Sequence, residues 1–535
     1  MAGAEKGVDT GARVPAAAAP GARRGSATGA KDGGRASAGP GERRLAAFAR
    51  GPVVGAAGAL LVVLAATANL YGFHRDELYF RMLPPAWGYI DQPPLTPALV
   101  RLLAGGVDEP WAIRIPAIAF AVASVFVVAL IAREVGGSHL AQGLAAWGYA
   151  FGSFTLSFGH VMLPASADLL VWPAVVLLVI RTVMRRQGQW MLVAGVIVGL
   201  STYNKLLVVM LLAAIALALA ALGPRWIFRS PWLYAGLGAI VVIGFPNLLY
   251  QLQNGLPQLT MGQALSVHNG ASVRVMMWPF LALMLGPLLV PFWVAALVSL
   301  LRRPQWRSLR FLVLAFALVL LFMFIGATQS YYSYGLLASL FAIGCVPVAE
   351  FAARSTARRR LVYTAVVLNS VVSVVISLPV IPAAVVGATP IPAIDQVAAD
   401  QLGWPQYVAE VEAVARSAAG ATADGSAASG STIVLASNYG EAGALERYGS
   451  ADLPPLYSAH NALIRSGPPP ADTSTVIVVG SQVRTLGNFF ASCETVAHLD
   501  NGEGVDNEEQ GDPISICRGP VEPWSTLWPK LAHLD

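Results

Sequence analysis

Two adjacent carboxylates stand in a cluster of ionisable residues directly after an apolar segment of the chain. The stretch GFHRDELYF brings together His74, Arg75, Asp76 and Glu77. A carboxylate can take a proton from an attacking hydroxyl group. An arginine or a lysine nearby can stabilise a phosphate that leaves as its charge develops. The cluster therefore predicts group transfer at a membrane surface, with Asp76 and Glu77 as catalytic residues and Arg75 as a phosphate ligand.

Further polar residues fall in segments that we expect on the same side of the membrane. Asp168 lies just inside an apolar run, where a carboxylate is costly and function is the default explanation, and we predict it to be catalytic. Lys205 is predicted to bind the donor phosphate. Amides, imidazoles and aromatic rings suit a hydroxylated substrate, and the candidate substrate contacts are His74, Asp91, Gln92, His160, Gln251, Tyr331 and Tyr332.

Each of these residues also has a simpler explanation. Asp76 could only cap a helix, and Glu77 could be a supporting or surface charge. Lys205 could extend its amine to the bilayer surface, and the tyrosines could form an interfacial belt. The spacing of the candidates matches no strong metal motif, so the sequence predicts no metal ligands.

The composition identifies the class of protein that must position these residues. Of 535 residues, 56% are hydrophobic and only 12% are charged, whereas soluble domains are nearer a quarter charged. The chain is therefore a multi-pass membrane protein. The net charge of +5 is no nucleic-acid signal, because the basic residues concentrate in the N-terminal tail and in short loops.

Hydropathy predicts about eleven transmembrane helices of roughly 20 residues, in a membrane domain over residues 51–385. They lie near 52–70, 112–132, 139–158, 167–184, 189–204, 206–223, 232–252, 276–300, 310–327, 333–351 and 361–381. The loop over 71–111 should hold two short interfacial helices, the first stopped by Pro84–Pro85 and the second capped by Thr96. A further loop is expected over 253–274.

The distribution of basic residues predicts how the chain is oriented. Basic loops alternate with loops poorer in Lys and Arg, so the N-terminus should be cytoplasmic in the plasma membrane. Residues 1–50 should form a disordered basic tail. A secretory signal is the alternative, but its basic and apolar parts would both be too long. An odd number of spans then places residues 395–535 outside the cytoplasm.

Residues 395–535 have the pattern of a small α/β domain. Two short apolar strands, STIVLAS and STVIVVG, flank a helical stretch around EAGALERYG. The acidic stretch NGEGVDNEEQGD is predicted to be a solvated loop. On an oxidising side of the membrane, a disulfide between Cys493 and Cys517 is expected.

The motifs HRDELYF and WGYIDQPPLTP, with an Asp after the third span and a Lys opening a later one, resemble the bacterial branch of glycosyltransferase family 39. This family includes protein O-mannosyltransferases and aminoarabinose lipid A transferases. The resemblance covers most of residues 50–490 and implies a GT-C membrane fold. It also implies an inverting transfer from a polyprenyl phosphate sugar, with Asp76 as base. A divalent metal near the site, found in some members, is not required by this sequence.

The sequence thus predicts a membrane glycosyltransferase that works outside the cytoplasm on a lipid, glycan or protein acceptor. Its partners would be the polyprenyl phosphate donor and membrane lipids, with no nucleic acid. Two alternatives remain open. A transporter would place its polar residues near the bilayer midplane, and a lipid-binding scaffold of the cell envelope would use mainly the C-terminal domain.

Overall fold

The computed structural model describes residues 45–423 and 431–534. The predicted disordered tail over residues 1–50 lies outside this part of the chain, apart from its last six residues. Helix α1 starts at Arg50, and side chains of the next apolar helices pack against it.

The membrane domain is built from α-helices joined by short turns. Most are apolar throughout, because both lipid and neighbouring helices accept apolar side chains. The helices are α1 Arg50–Thr67, α2 Arg75–Met82, α3 Leu95–Ala104, α4 Pro110–Ile113, α5 Ile115–Glu134, α6 His139–Ala150, α7 Ser153–His160, α8 Pro164–Arg185, α9 Trp190–Ser201, α10 Val208–Leu222, α11 Pro231–Gln253, α12 Pro257–Leu283, α13 Val290–Arg302, α14 Phe311–Gly326, α15 Tyr334–Ala353 and α16 Thr356–Ser377.

Seven helical segments in the described residues are long and apolar enough to cross a membrane. Five are the helices α1, α5, α8, α11 and α16. The other two are α14 and α15, each together with the short helical turn before it. An eighth span would join residues 270–283 to 287–302 across a bend of 74°. The predicted span over 139–158 is broken into α6 and α7, and α9 and α10 are shorter apolar helices. Most of the expected loop over 253–274 is helical, because α12 begins at Pro257.

The loop over 71–111 contains short helices, and the first of them, α2, carries the candidate residues Asp76 and Glu77. Helix α2 ends before Pro84, as its sequence predicts. Helix α3 begins one residue before Thr96, and the Thr96 hydroxyl donates to Asn204 Oδ1 at 2.8 Å instead of capping the helix. The bond ties this loop to the turn between α9 and α10.

The C-terminal segment folds as a small α/β domain after three short helical turns. Its sheet has the strand order β2-β1-β3-β5-β4, parallel among the first three strands and antiparallel beyond them. The elements are α17 Ala383–Val386, α18 Ile391–Ile394, α19 Gln396–Ala399, α20 Trp404–Ala423, β1 Ser431–Ala436, α21 Tyr439–Tyr448, β2 Leu456–Tyr457, β3 Thr473–Val479, α22 Val483–Leu486, β4 Phe490–His498, β5 Pro513–Pro520 and α23 Trp524–Leu531.

A disulfide joins Cys493 to Cys517 across the antiparallel pair β4 and β5, where the two residues are register partners. Cys345 is buried in α15 as a free thiol. The disulfide therefore joins the edge strand β4 covalently to β5.

The C-terminal domain and the loop over 71–111 share one hydrophobic core. Leu78, Tyr79 and Phe80 of α2 are buried in the same cluster as Trp404 and Leu445. Burial of apolar surface at roughly 25 cal/mol per Å² holds the domain against this face of the membrane helices. The domain therefore lies directly over the candidate catalytic residues.

Candidate active site

Asp76 stands in the first turn of α2, and the start of that helix is fixed by reciprocal capping. His74 Nδ1 accepts a hydrogen bond from the Asp76 N–H at 3.1 Å. Glu77 Oε2 accepts one from the His74 N–H at 2.8 Å. Both bonds satisfy amide groups that a helix start leaves open. His74 is thus a capping residue, 5% exposed, and the structure gives it no open face for the predicted substrate contact.

Glu77 is fully buried and bound by several donors. Arg114 forms a two-pronged ion pair with it, Nε to Oε1 and Nη2 to Oε2, both at 2.9 Å. The Met162 N–H donates to Oε1 at 2.8 Å. Burying such a pair is costly, and the additional hydrogen bonds offset the loss of water. Glu77 therefore anchors the loop to the membrane helices, and its oxygens are engaged rather than free to move a proton.

His160 belongs to the same buried network and not to the open site. Its Nε2 lies 3.2 Å from Arg114 Nη1 and 3.2 Å from Gln401 Oε1, and its Nδ1 lies 3.4 Å from the Thr67 hydroxyl. The side chain is 1% exposed. The predicted substrate contact is not supported, because all these partners are internal.

Asp76 itself is half-buried, and the described residues give its side chain one hydrogen bond. The hydroxyl of Tyr439, from the C-terminal domain, donates to Asp76 Oδ1 at 2.9 Å. Burial raises the pKa of Asp76 above its usual value, while Arg75, the Tyr439 hydroxyl and Lys205 act in the opposite direction. A carboxylate with a raised pKa is a stronger base than an exposed one.

Asp168 lines a small cleft together with Tyr331 and Tyr332, near the aromatic turn before α15. The Lys205 ammonium lies 4.5 Å from the Tyr332 ring centre and 5.5 Å from that of Tyr331. Asp168 lines the cleft, and within residues 45–423 and 431–534 its Oδ1 is a buried atom with no hydrogen-bond partner. A cation, a carboxylate and two phenols thus converge where a charged ligand could enter.

The turn that carries Lys205 is held by two asparagines that are not among the predicted site residues. Asn204 Nδ2 donates to the Pro164 carbonyl at 2.8 Å, and Asn247 Nδ2 donates to the Thr202 carbonyl at 2.7 Å. Both are nearly fully buried. Buried amides in an apolar chain are a usable signal, because each must find a partner.

Asp91 and Gln92 lie close to α2, the helix that carries Asp76. Asp91 Oδ1 accepts a hydrogen bond from the Tyr79 hydroxyl at 3.1 Å, and burial raises the pKa of Asp91 to about 6. Gln92 is buried, and in the described chain its Nε2 has no partner. Gln251 Oε1 instead accepts from the Gln258 N–H at 3.2 Å and shapes the turn before α12.

The Arg75 guanidinium turns to the C-terminal domain, and its role as a phosphate ligand stays a prediction. It pairs with Glu508, and its Nη2 lies 3.5 Å from Glu509 Oε1. Both acidic residues belong to the segment predicted to be a solvated loop. That expectation is wrong for Glu509, which is fully buried. The arginine on α2 and the acidic segment neutralise each other across the domain contact.

Within the described ranges, no three His, Cys, Asp or Glu side chains converge where they could hold a metal ion. The carboxylate of Asp76 faces a phenol, and His74 Nδ1 accepts an amide proton.

Comparison with known proteins agrees with the fold. The profile of the family described as dolichyl-phosphate-mannose-protein mannosyltransferase matches residues 91–250, a range that holds Asp168 and Lys205 but not Asp76. No curated protein matches the chain in sequence.

Two solved structures match almost the whole chain. ArnT from Cupriavidus metallidurans bound to undecaprenyl phosphate has a TM-score of 0.57 at 12% identity, covering 90% of this chain and 99% of that chain. The apo state of the same protein gives 0.53 at 12% identity, covering 91% and 100%. The fold expected from the sequence is confirmed: this multi-pass membrane protein has the GT-C fold that ArnT also has, and residues 91–250 are similar to the dolichyl-phosphate-mannose-protein mannosyltransferases.

Proposed function

We propose that the protein transfers a sugar from a polyprenyl phosphate donor to a hydroxyl group of an acceptor outside the cytoplasm, with inversion at the anomeric carbon. One observation carries this proposal. The half-buried carboxylate of Asp76, which contacts the C-terminal domain through Tyr439, lies close enough to the Lys205 ammonium for their charges to interact. The structural neighbour ArnT, crystallised with undecaprenyl phosphate, supports the class of donor.

The reaction is a single displacement. The acceptor oxygen forms a bond to the anomeric carbon while its proton passes to Asp76. The bond from that carbon to the donor phosphate breaks on the opposite face, and polyprenyl phosphate leaves with the electron pair. General base catalysis of this kind contributes roughly 10²–10⁴-fold to a rate.

Lys205 stabilises the departing phosphate in this proposal. A lysine ammonium is a compact point charge, and it acts strongly where water is excluded. The rings of Tyr331 and Tyr332 contact the ammonium and fix its position. Asp168, which lines the cleft, is assigned to the substrate hydroxyl groups, since its Oδ1 is buried without a partner among the described residues.

The orientation in the membrane is part of the proposal. Basic residues concentrate at the ends of helices opposite the site, including Arg185, Arg302, Arg310 and Arg358, and such segments favour the cytoplasm. The C-terminal domain, with its disulfide, would then lie on the oxidising side. The acceptor class stays open among lipid, glycan and protein.

Replacement of Asp76 by Asn tests the proposal. Asn preserves the size of Asp76 and can still accept the hydrogen bond from Tyr439, but it is not a base. We expect sugar transfer from a synthetic polyprenyl phosphate sugar to fall by roughly a hundredfold or more, at unchanged melting temperature. The matched control is Asp452→Asn, at an exposed turn of the C-terminal domain, which should transfer normally. Near-normal transfer by Asp76→Asn would refute the proposal.

A further inference from the structure

We propose that the C-terminal domain completes the active site by supplying Tyr439, whose hydroxyl orients the carboxylate of Asp76 for proton abstraction. The inference rests on the proposed function. It assigns a task in that reaction to the C-terminal domain, which is not itself part of the membrane helices. It makes Tyr439 a positioning residue, acting through Asp76.

The contact is specific to one carboxylate oxygen. The Tyr439 hydroxyl donates to Asp76 Oδ1 at 2.9 Å. The other oxygen, Oδ2, accepts no hydrogen bond within the described part of the chain, and we assign it to the acceptor hydroxyl. Because Oδ1 is held by this hydrogen bond, the carboxylate cannot rotate freely. Oδ2 therefore points in one fixed direction. Such preorganisation matters because a misplacement of about 1 Å can cost on the order of a hundredfold in rate.

Tyr439 is itself held from several sides. Its N–H donates to His460 Nδ1 at 2.9 Å, and its ring stacks on the His460 imidazole with centres 5.1 Å apart. The Tyr79 ring lies 4.8 Å away, and the Arg75 guanidinium lies 4.8 Å from the ring centre of Tyr439. Rings and a cation in these positions attract one another, so the phenol presents its hydroxyl in a fixed place.

The turn that carries Tyr439 is also rigid. Asn438 caps α21 by accepting from the Glu441 N–H at 2.9 Å, and Glu441 Oε2 accepts from the Asn438 N–H at 3.0 Å. This reciprocal pair fixes the start of the helix. Tyr439 is the first residue of α21, and therefore moves only if the helix moves.

Helix α21 approaches α2 so closely that a glycine is needed at the contact. A Cβ atom on Gly443 would lie 2.7 Å from the Leu78 carbonyl carbon and 2.8 Å from Leu78 Cβ. These distances are shorter than carbon atoms tolerate, so a larger residue would push the helices apart. The separation of Tyr439 from Asp76 thus depends on this packing.

The hydrogen bond also affects the charge of the base. Burial raises the pKa of Asp76, and the bond from Tyr439 opposes that effect. A hydrogen bond to the ionised form favours ionisation. Loss of the phenol hydroxyl should therefore raise the pKa of Asp76, so that the base is ionised only at higher pH.

The decisive experiment is the pH profile of kcat/KM for Tyr439→Phe, which removes one oxygen atom. We expect transfer at neutral pH to fall roughly tenfold. The acidic limb of the profile should move up by about one pH unit. The matched control is Tyr407→Phe, which removes a phenol bonded to Asn507 in the same domain; its profile should stay at the wild-type position.

A second variant keeps the phenol and moves it. Gly443→Ala separates α21 from α2 and should shift the acidic limb in the same direction as Tyr439→Phe. Melting temperature and gel filtration show whether Tyr439→Phe folds. If it does not fold, Gly443→Ala provides the test of the inference.

The outcomes separate this inference from the proposed function. A wild-type rate and profile for Tyr439→Phe, with Asp76→Asn inactive, would overturn the inference alone. A fall in rate without a shift of the acidic limb would also overturn it, because Tyr439 would then act on folding or on substrate rather than through Asp76. Near-normal transfer by Asp76→Asn would overturn the proposed function itself.

Discussion

Replacement of Glu77 by Gln separates the roles of two adjacent carboxylates. Glu77 accepts two bonds from Arg114, one from the Met162 N–H and one from the His74 N–H, at 2.8–2.9 Å. Gln has nearly the same shape but carries no charge. Its amide nitrogen would face a donor where an oxygen now accepts. We therefore expect loss of stability, and not a specific loss of chemistry.

The size of the effect follows from burial. Both Glu77 and Arg114 are 0% exposed, so the variant leaves a guanidinium buried without its counter-charge. Breaking a buried ion pair by removing one partner costs about 3–5 kcal/mol. Native proteins are stable by only about 5–15 kcal/mol. The variant should therefore lose a large part of its free energy of unfolding, and its melting temperature should fall by about 5 °C or more.

The assay is thermal unfolding in detergent, followed by gel filtration, with sugar transfer measured per folded protein. Glu109→Gln is the matched control. Its carboxylate is half-exposed and lies 3.8 Å from Arg447, and an exposed pair contributes only about 0–1 kcal/mol. If Glu77→Gln melts like the wild type and yet does not transfer sugar, Glu77 takes part in chemistry and the assignment as an anchor is wrong.

Two further predictions concern the donor site and the orientation. Lys205→Met should raise the KM for the polyprenyl phosphate donor and lower kcat, together about a hundredfold in kcat/KM. The control Lys530→Met, which breaks a surface pair with Glu522, should leave both constants unchanged. Unchanged constants for Lys205→Met would refute the proposed phosphate contact. In a Cys345→Ala background, a membrane-impermeant maleimide should label Trp87→Cys in whole cells but not Arg302→Cys, and labelling of Arg302→Cys alone would reverse the orientation.

The sequence predicted the membrane class and the candidate base because these depend on local properties. Apolar runs reveal membrane helices by their length alone. Asp76 and Lys205 stand out because ionisable residues are rare in such a chain. The structure places them on the same side of the fold, and their catalytic roles stay predictions.

The contacts that the sequence did not reveal join residues far apart in the chain. Arg75 has the residue type of a phosphate ligand, but Glu508 and Glu509 neutralise it. An acidic stretch gives no sign of what it will face after folding. Tyr439 likewise looks like an ordinary helix start in SNYGEAGALERYG, and nothing local indicates that its hydroxyl reaches Asp76. His160 shows the converse, since its residue type suited a site but its partners are internal.

The bond between Tyr439 and Asp76 joins residues 363 positions apart, and this separation has a consequence for biosynthesis. A ribosome completes the membrane helices long before it releases the C-terminal domain. Until that domain docks, Asp76 lacks its phenol and Arg75 lacks its acidic partners. A nascent chain would therefore hold the proposed base without the group that orients it. The full rate would be reached only when synthesis and docking are complete, so prematurely terminated chains would be slower than the complete protein.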